Sequence, residues 1–247
     1  MSGGPVAAAI VPHAPLLVGE LHPQGCEEPC GTVVRAVRSL VWGEAEAVTV
    51  VSPHGSEPGV YARVEGSLRG FGPAIDGGRP GGEGLAKELA AAASLPLLEG
   101  PCDHGVLVPA LLGCAPGLEL VGVSLGECSS SGEMPEPNAA ALLAEALESF
   151  DGRVGLAASA HSGAALSASA PLTELEGAVE AEAAWIAALR SDVGASEAET
   201  RRLARVAGSC GAGPLGVLAA LGRGRAAMFH AYERPFGVGY VVASVPG

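Results

Sequence analysis

Aromatic residues make up only 4% of this 247-residue chain, so a core, if one forms, is built from Ala, Val and Leu. Lysine is almost absent, Lys87 being the single example, and Lys plus Arg reach 14 against 27 acidic residues. The formal net charge of −13 and the lack of any basic run exclude a nucleic-acid-binding role, which needs a cationic surface to displace phosphate counterions. No apolar stretch approaches the ~18 uncharged residues of a membrane span, so no membrane segment is expected. The apolar N-terminal stretch lacks a basic n-region and runs into His13; it reads as a first strand rather than a signal peptide. No G-x-S-x-G elbow occurs, which leaves serine hydrolase chemistry without local support. The glycine-rich 77–84 does not follow an apolar strand, which argues against a dinucleotide or phosphate loop.

What is present is a 48% hydrophobic chain with 37 glycines, about twice the usual share of ~7%. The length suits one large α/β domain. The six cysteines, in a chain too core-rich to need stapling, read as reduced thiols, and a cytoplasmic location is expected. Continuous apolar runs at 6–11, 47–51, 118–124, 153–158 and 238–244 predict strands covered on both faces. Helical patterns fall between them at 31–41, 83–93, 137–149, 173–191, 196–207 and 214–221. That alternation predicts a single α/β domain over 1–247, with a central, mostly parallel or mixed sheet and helices on both faces. Segment 59–71 alternates and reads as a hairpin or edge strand. The turn-rich 72–83 and 126–137 read as surface loops.

There are six histidines, and Pro12-His13-Ala14-Pro15 and Pro53-His54-Gly55 each follow an apolar strand. Ligands gather beyond the carboxyl ends of strands in open α/β sheets. Imidazole is a good ligand for iron, zinc and copper, so His13 and His54 are the primary metal-ligand candidates. Glu233, just before the last strand, is expected as the third ligand, giving two imidazoles and a carboxylate with open positions left for chemistry. His230 competes for that place; in an extended segment the two side chains face apart. His104, in Asp103-His104-Gly105, opens an apolar helix that Asp103 is suited to cap. His22, Cys26 and Cys30 form H-x3-C-x3-C, one ligand short of a normal structural zinc site. Cys210, in Gly208-Ser209-Cys210-Gly211, reads as a small packed residue opening a helix.

The stretches VPHAP, VVSPHG, DHGVLVP and YERPFGVGYVVA, in this order from about residue 6 to 244, resemble class III extradiol ring-cleavage dioxygenases of the LigB-like superfamily. The resemblance implies a non-haem Fe(II) enzyme that takes a catechol- or aminophenol-type aromatic and O2, with zinc or manganese tolerated by the same ligands. It implies His13, His54 and Glu233 as iron ligands and His104 as a neighbouring histidine. It also allows a homodimer or a small partner subunit. One departure stands out. Relatives carry an acid/base histidine in a stretch like A-S-G-D-L-S-H-R-L-T-x-x-A-P; here the corresponding position is Ala164, and His161 stands three residues earlier. Either His161 takes over as the catalytic base, or the chain is a metal-binding LigB-like or Memo-like homologue without ring-cleavage activity.

Overall fold

The structure, a computed structural model, describes residues 5–19, 30–72, 75–79, 81–114, 117–126, 138–150 and 153–247. In chain order the elements are β1 (Ala7–Val11), α1 (Gly31–Arg38), β2 (Ala47–Ser52), β3 (Gly59–Tyr61), β4 (Val64–Ser67), β5 (Asp76–Arg79), α2 (Glu83–Ala92), β6 (Leu97–Leu98), α3 (His104–Gly113), β7 (Glu119–Ser124) and α4 (Ala139–Ser149). They continue with β8 (Val154–Ser159), α5 (Ala178–Ser191), α6 (Glu197–Val206), α7 (Ala212–Leu221), β9 (Met228–Glu233) and β10 (Tyr240–Pro246). The apolar runs expected as strands are strands, shifted by a residue or two at their ends.

Eight strands form one mixed sheet in the order β6-β3-β7-β2-β8-β1-β10-β9. The centre, β7-β2-β8-β1, is parallel, and β10 and β9 add antiparallel at one side. Side chains of a strand alternate between faces, and here both faces are covered. In β1, Ala8 and Ile10 enter one apolar cluster while Ala9 and Val11 enter the other. In β2, Val51 lies in the first and Val48 and Val50 in the second. The first cluster is closed by α2, α4, α5, α6 and α7 through Leu85, Leu143, Trp185, Leu203 and Leu215. The second is closed by α1 and α3 through Val33, Val37, Val106 and Leu107. This is why the strands read as unbroken apolar runs. The chain is thus a single α/β domain with a large mixed sheet flanked by helices.

Two segments differ from expectation. Segment 59–71 divides: β3 joins the main sheet between β6 and β7, whereas β4 pairs antiparallel with β5 in a separate ribbon. The stretch 72–83, expected as a loop, therefore holds a strand. Its sequence Asp76-Gly77-Gly78-Arg79 has low intrinsic strand propensity, and pairing with β4 overrides it. Among the described residues, no helix is long and apolar enough to cross a membrane.

Candidate metal centre

Three parallel neighbours, β2, β8 and β1, end at the same edge of the sheet. Each is followed, two residues beyond its last strand residue, by a histidine: His54 after Ser52, His161 after Ser159 and His13 after Val11. The strand register therefore delivers three imidazoles to one place. A fourth, His104, comes from the first residue of α3.

His13 is 3% exposed, and its ring centroid lies 4.9 Å from that of His54, 5.6 Å from His104 and 5.5 Å from His161. His54 and His104 stack at 4.4 Å with 30° between their planes. The exposed ring of Phe71 meets His104 at 5.0 Å.

The hydrogen bonds fix one tautomer. The Ser159 hydroxyl donates its one proton to the Gly105 carbonyl at 2.6 Å. Toward His13 Nδ1, 3.0 Å away, Ser159 Oγ acts as the acceptor. His13 then carries its proton on Nδ1 and presents a bare Nε2, the arrangement in which an outer partner orients a ligating histidine. His13 Nε2 faces His54 Nε2 at 3.2 Å. Two nitrogens at ~2.0–2.1 Å from a common ion and this far apart subtend roughly 100°, between the octahedral and tetrahedral angles. The two imidazoles thus fit a shared divalent cation.

His54 is aimed by its own loop. Its backbone N–H donates to Ser52 Oγ at 3.0 Å, and the Ser52 hydroxyl donates to Asp103 Oδ1 at 2.6 Å. Asp103 caps α3 as expected, accepting from Gly105 N at 2.7 Å and Val106 N at 3.3 Å. His104, the next residue, is not incidental, because the same cap turns its ring onto His54. Gly55 sits at φ +107°, and a Cβ there would meet Ser124 Oγ at 2.3 Å; only glycine lets the chain turn away from His54 so tightly.

Glu233 is not brought into this cluster. It ends β9, and β10 lies between β9 and β1, so Glu233 stands two strand spacings, about 10 Å, from β1. Its Oε2 accepts from Val33 N at 3.4 Å in the first turn of α1, where the helix dipole favours a carboxylate. His230 is exposed and bonds Ser244 Oγ at 2.8 Å. The third donor that converges is Cys210. His13, His54 and Cys210 are the group whose ligand atoms lie within 4.8 Å of one another among the described residues. Cys210 Sγ is 3.5 Å from His13 Nε2 and 3.2 Å from His161 Nε2. Gly211 makes this possible: a Cβ there would meet the Ala160 side chain at 2.6 Å, so the start of α7 packs directly onto the segment after β8. The cysteine in Gly208-Ser209-Cys210-Gly211, at a helix start, was the one available signal.

His161 takes part in the cluster from a different position than Ala164. Ala164 packs against the second apolar cluster, and its N–H donates to the Ala207 carbonyl at 2.8 Å. The His161 loop is held on both sides. Ser209 Oγ donates to the His161 carbonyl at 2.7 Å. Ser162 Oγ donates to Glu182 Oε1, and Glu182, 1% exposed, also accepts from the Tyr232 hydroxyl at 2.6 Å and pairs with Arg234 at 3.5 Å. Arg234 is thereby engaged with Glu182. His161 Nδ1 is buried with no hydrogen-bond partner. His22 and Cys26 lie outside the described residues; Cys30 is buried at the start of α1.

Burial, and then the neighbouring imidazoles, hold these rings neutral. His104 and His161 are each lowered from 6.5 to about 4, burial being the larger cause, and His13 lies well below 6.5 for the same reasons. In the unfolded chain they titrate near 6.5, so between about pH 6.5 and pH 4 the unfolded state binds more protons. For the metal-free protein, this contribution to stability is complete above about pH 6.5 and is lost as pH falls toward 4. Urea midpoints measured from pH 7.5 to 4 should decline through that window, and the decline should be shallower in His161→Gln. Parallel profiles for the two proteins would contradict the assignment.

No protein-family model matches the chain, and no curated protein does. Among solved structures, the fold is similar to the crystal structure of an uncharacterized protein from Escherichia coli K12. The TM-score is 0.61 and the identity 16%, over 97% of this chain and 99% of that one. At this identity the likeness establishes the shared fold alone.

Proposed function

We propose that the chain is a divalent-metal-dependent dioxygenase of the extradiol ring-cleavage type. His13 and His54 hold iron(II), and a catechol- or aminophenol-type aromatic and O2 are the substrates. The observation that supports this most is the convergence of four imidazoles at one sheet edge, two facing each other through Nε2 and two flanking them. When bound, the metal supplies a chelation point for the two substrate oxygens and for dioxygen. The protein's own contributions are distinct. The Ser159–His13 hydrogen bond holds a lone pair toward the ligand position. His161, neutral at pH 7, accepts the second phenolic proton at an imidazole nitrogen and later returns it. His104, stacked on His54, faces the same space, and Phe71 offers an aromatic edge at its rim. The cytoplasm is the proposed compartment.

A second reading is a metal-binding LigB-like or Memo-like homologue without ring cleavage. It is motivated by Ala164 at the position of the acid/base histidine and by the distance of Glu233 from the cluster. Anaerobic reconstitution with Fe(II), followed by a panel of catechols and aminophenols and exposure to air, separates the two. The first reading expects a coloured ring-fission product from at least one diol. Tight metal binding with no product from any of them supports the second.

A further inference from the structure

We propose that Cys210 is the third metal-ligating side chain of this site, so that the ion is held by two imidazoles and one thiolate. The inference rests on the reading that His13 and His54 hold a metal. Its basis is geometric. A thiolate at ~2.3 Å and an imidazole nitrogen at ~2.0–2.1 Å from one ion lie about 3.5 Å apart when they subtend the tetrahedral angle. Cys210 Sγ and His13 Nε2 are separated by 3.5 Å. The His13–His54 nitrogens are 3.2 Å apart, and the ligand atoms of all three residues lie within 4.8 Å of one another.

The surroundings support the same assignment. The backbone at Cys210 is fixed by Ser209, whose hydroxyl bonds the His161 carbonyl, and by Gly211, whose N–H donates to Ser209 Oγ at 3.2 Å. The sulfur is therefore presented by a turn anchored next to β8 and not by a wandering loop. The carboxylate that the sequence offered for this place is two strands away, on the first turn of α1.

The ligand class follows from the donor set. Thiolate and imidazole suit zinc(II), cobalt(II) and iron(II), whereas manganese(II) prefers oxygen donors. The site discriminates against manganese, although its two histidines alone would accept it. Ligation requires loss of the Cys210 thiol proton to solvent and involves no change of oxidation state.

The test uses the full-length, metal-stripped protein under reducing, anaerobic conditions. Loaded with Co(II), the wild type should show a near-ultraviolet sulfur-to-cobalt charge-transfer band. Loaded with Zn(II), it should give an X-ray absorption spectrum with one sulfur at ~2.3 Å beside nitrogens at ~2.0–2.1 Å. Cys210→Ser should lose the band and the sulfur shell while keeping its circular dichroism. It should weaken zinc binding beyond the ~10–100-fold cost of losing an outer partner, and it should narrow the zinc-over-manganese preference. Glu233→Gln should retain the band. Bound metal with a nitrogen/oxygen-only shell in the wild type, or a band unchanged in Cys210→Ser, overturns the assignment and leaves the two-histidine site standing. Absence of metal binding in the wild type, or binding indifferent to both His13→Ala and His54→Ala, overturns both.

Discussion

Replacing His13 with alanine should abolish stoichiometric metal binding, weakening it by more than about 100-fold, beyond the 10–100-fold typical of outer-shell losses. Isothermal titration of the metal-stripped protein measures this directly. The size of the effect follows from what His13 does in the cluster. Its Nε2 approaches both of the other donors proposed for the ion, at 3.2 Å to His54 and 3.5 Å to Cys210. Its ring is nearly inaccessible to solvent, and its proton is fixed on Nδ1 by Ser159. No other residue occupies that central position among the described side chains. His13→Gln serves as a fold control, because an amide keeps some polarity opposite Ser159 while offering a poor metal ligand. Circular dichroism should be native in both variants. Retention of near-native affinity in His13→Ala would mean that the imidazole cluster is a packed structural feature.

The second large effect separates metal holding from proton handling. His161→Ala should keep close to one metal per chain and lower kcat by about 10²–10⁴-fold on a responsive diol, the range expected when a general base is removed. Steady-state kinetics with metal analysis on the same preparation checks it. His161 is suited to the role because it is neutral over the whole physiological range and its Nε2 points into the cluster. Its Nδ1 has no hydrogen-bond partner, so no fixed acceptor locks the ring into one tautomer. If kcat were unchanged while metal remained bound, the proton would have to leave by another route, with His104 the next group at hand. If metal were lost with His161, the residue would belong with His13 and His54 as a ligand.

Much of this site was legible in the sequence because it depends on strand ends. Unbroken apolar runs marked β1, β2 and β8 as strands buried on both faces, and a histidine stood two residues beyond each. Parallel neighbours share a C-terminal edge, so that spacing alone brings His13, His54 and His161 together. Asp103 was legible as the cap of α3, whereas His104 was placed beside the site by the resemblance alone. The three-residue offset of His161 from Ala164 matters less than a linear comparison suggests. Position relative to the end of β8 decides where the side chain goes, and Ala164 instead packs into the α1/α3 side of the core.

What was not legible depends on strand order and on packing between elements distant in sequence. Glu233 does precede the last strand, as its sequence position indicated. That strand, β10, intervenes between Glu233 and β1, and the free amides of α1 offer the carboxylate a nearer partner. Nothing local in residues 228–240 carries that information. Cys210 enters the cluster only because Gly211 allows α7 to begin against Ala160, a contact 51 positions apart in the chain. The β4–β5 ribbon was hidden for a similar reason, since two adjacent glycines in β5 mask its strand character until its partner is known.

The central claim is that one divalent cation sits between the imidazoles of His13 and His54. Crystals of the full chain grown with Zn(II) or, anaerobically, with Fe(II), and measured at the absorption edge of the metal, test it most directly. The account predicts one strong anomalous peak at ~2.0–2.3 Å from both His13 Nε2 and His54 Nε2. A peak held instead by Glu233 on the α1 side, or full occupancy of some other site while His13 and His54 remain bonded to each other at 3.2 Å, would contradict it.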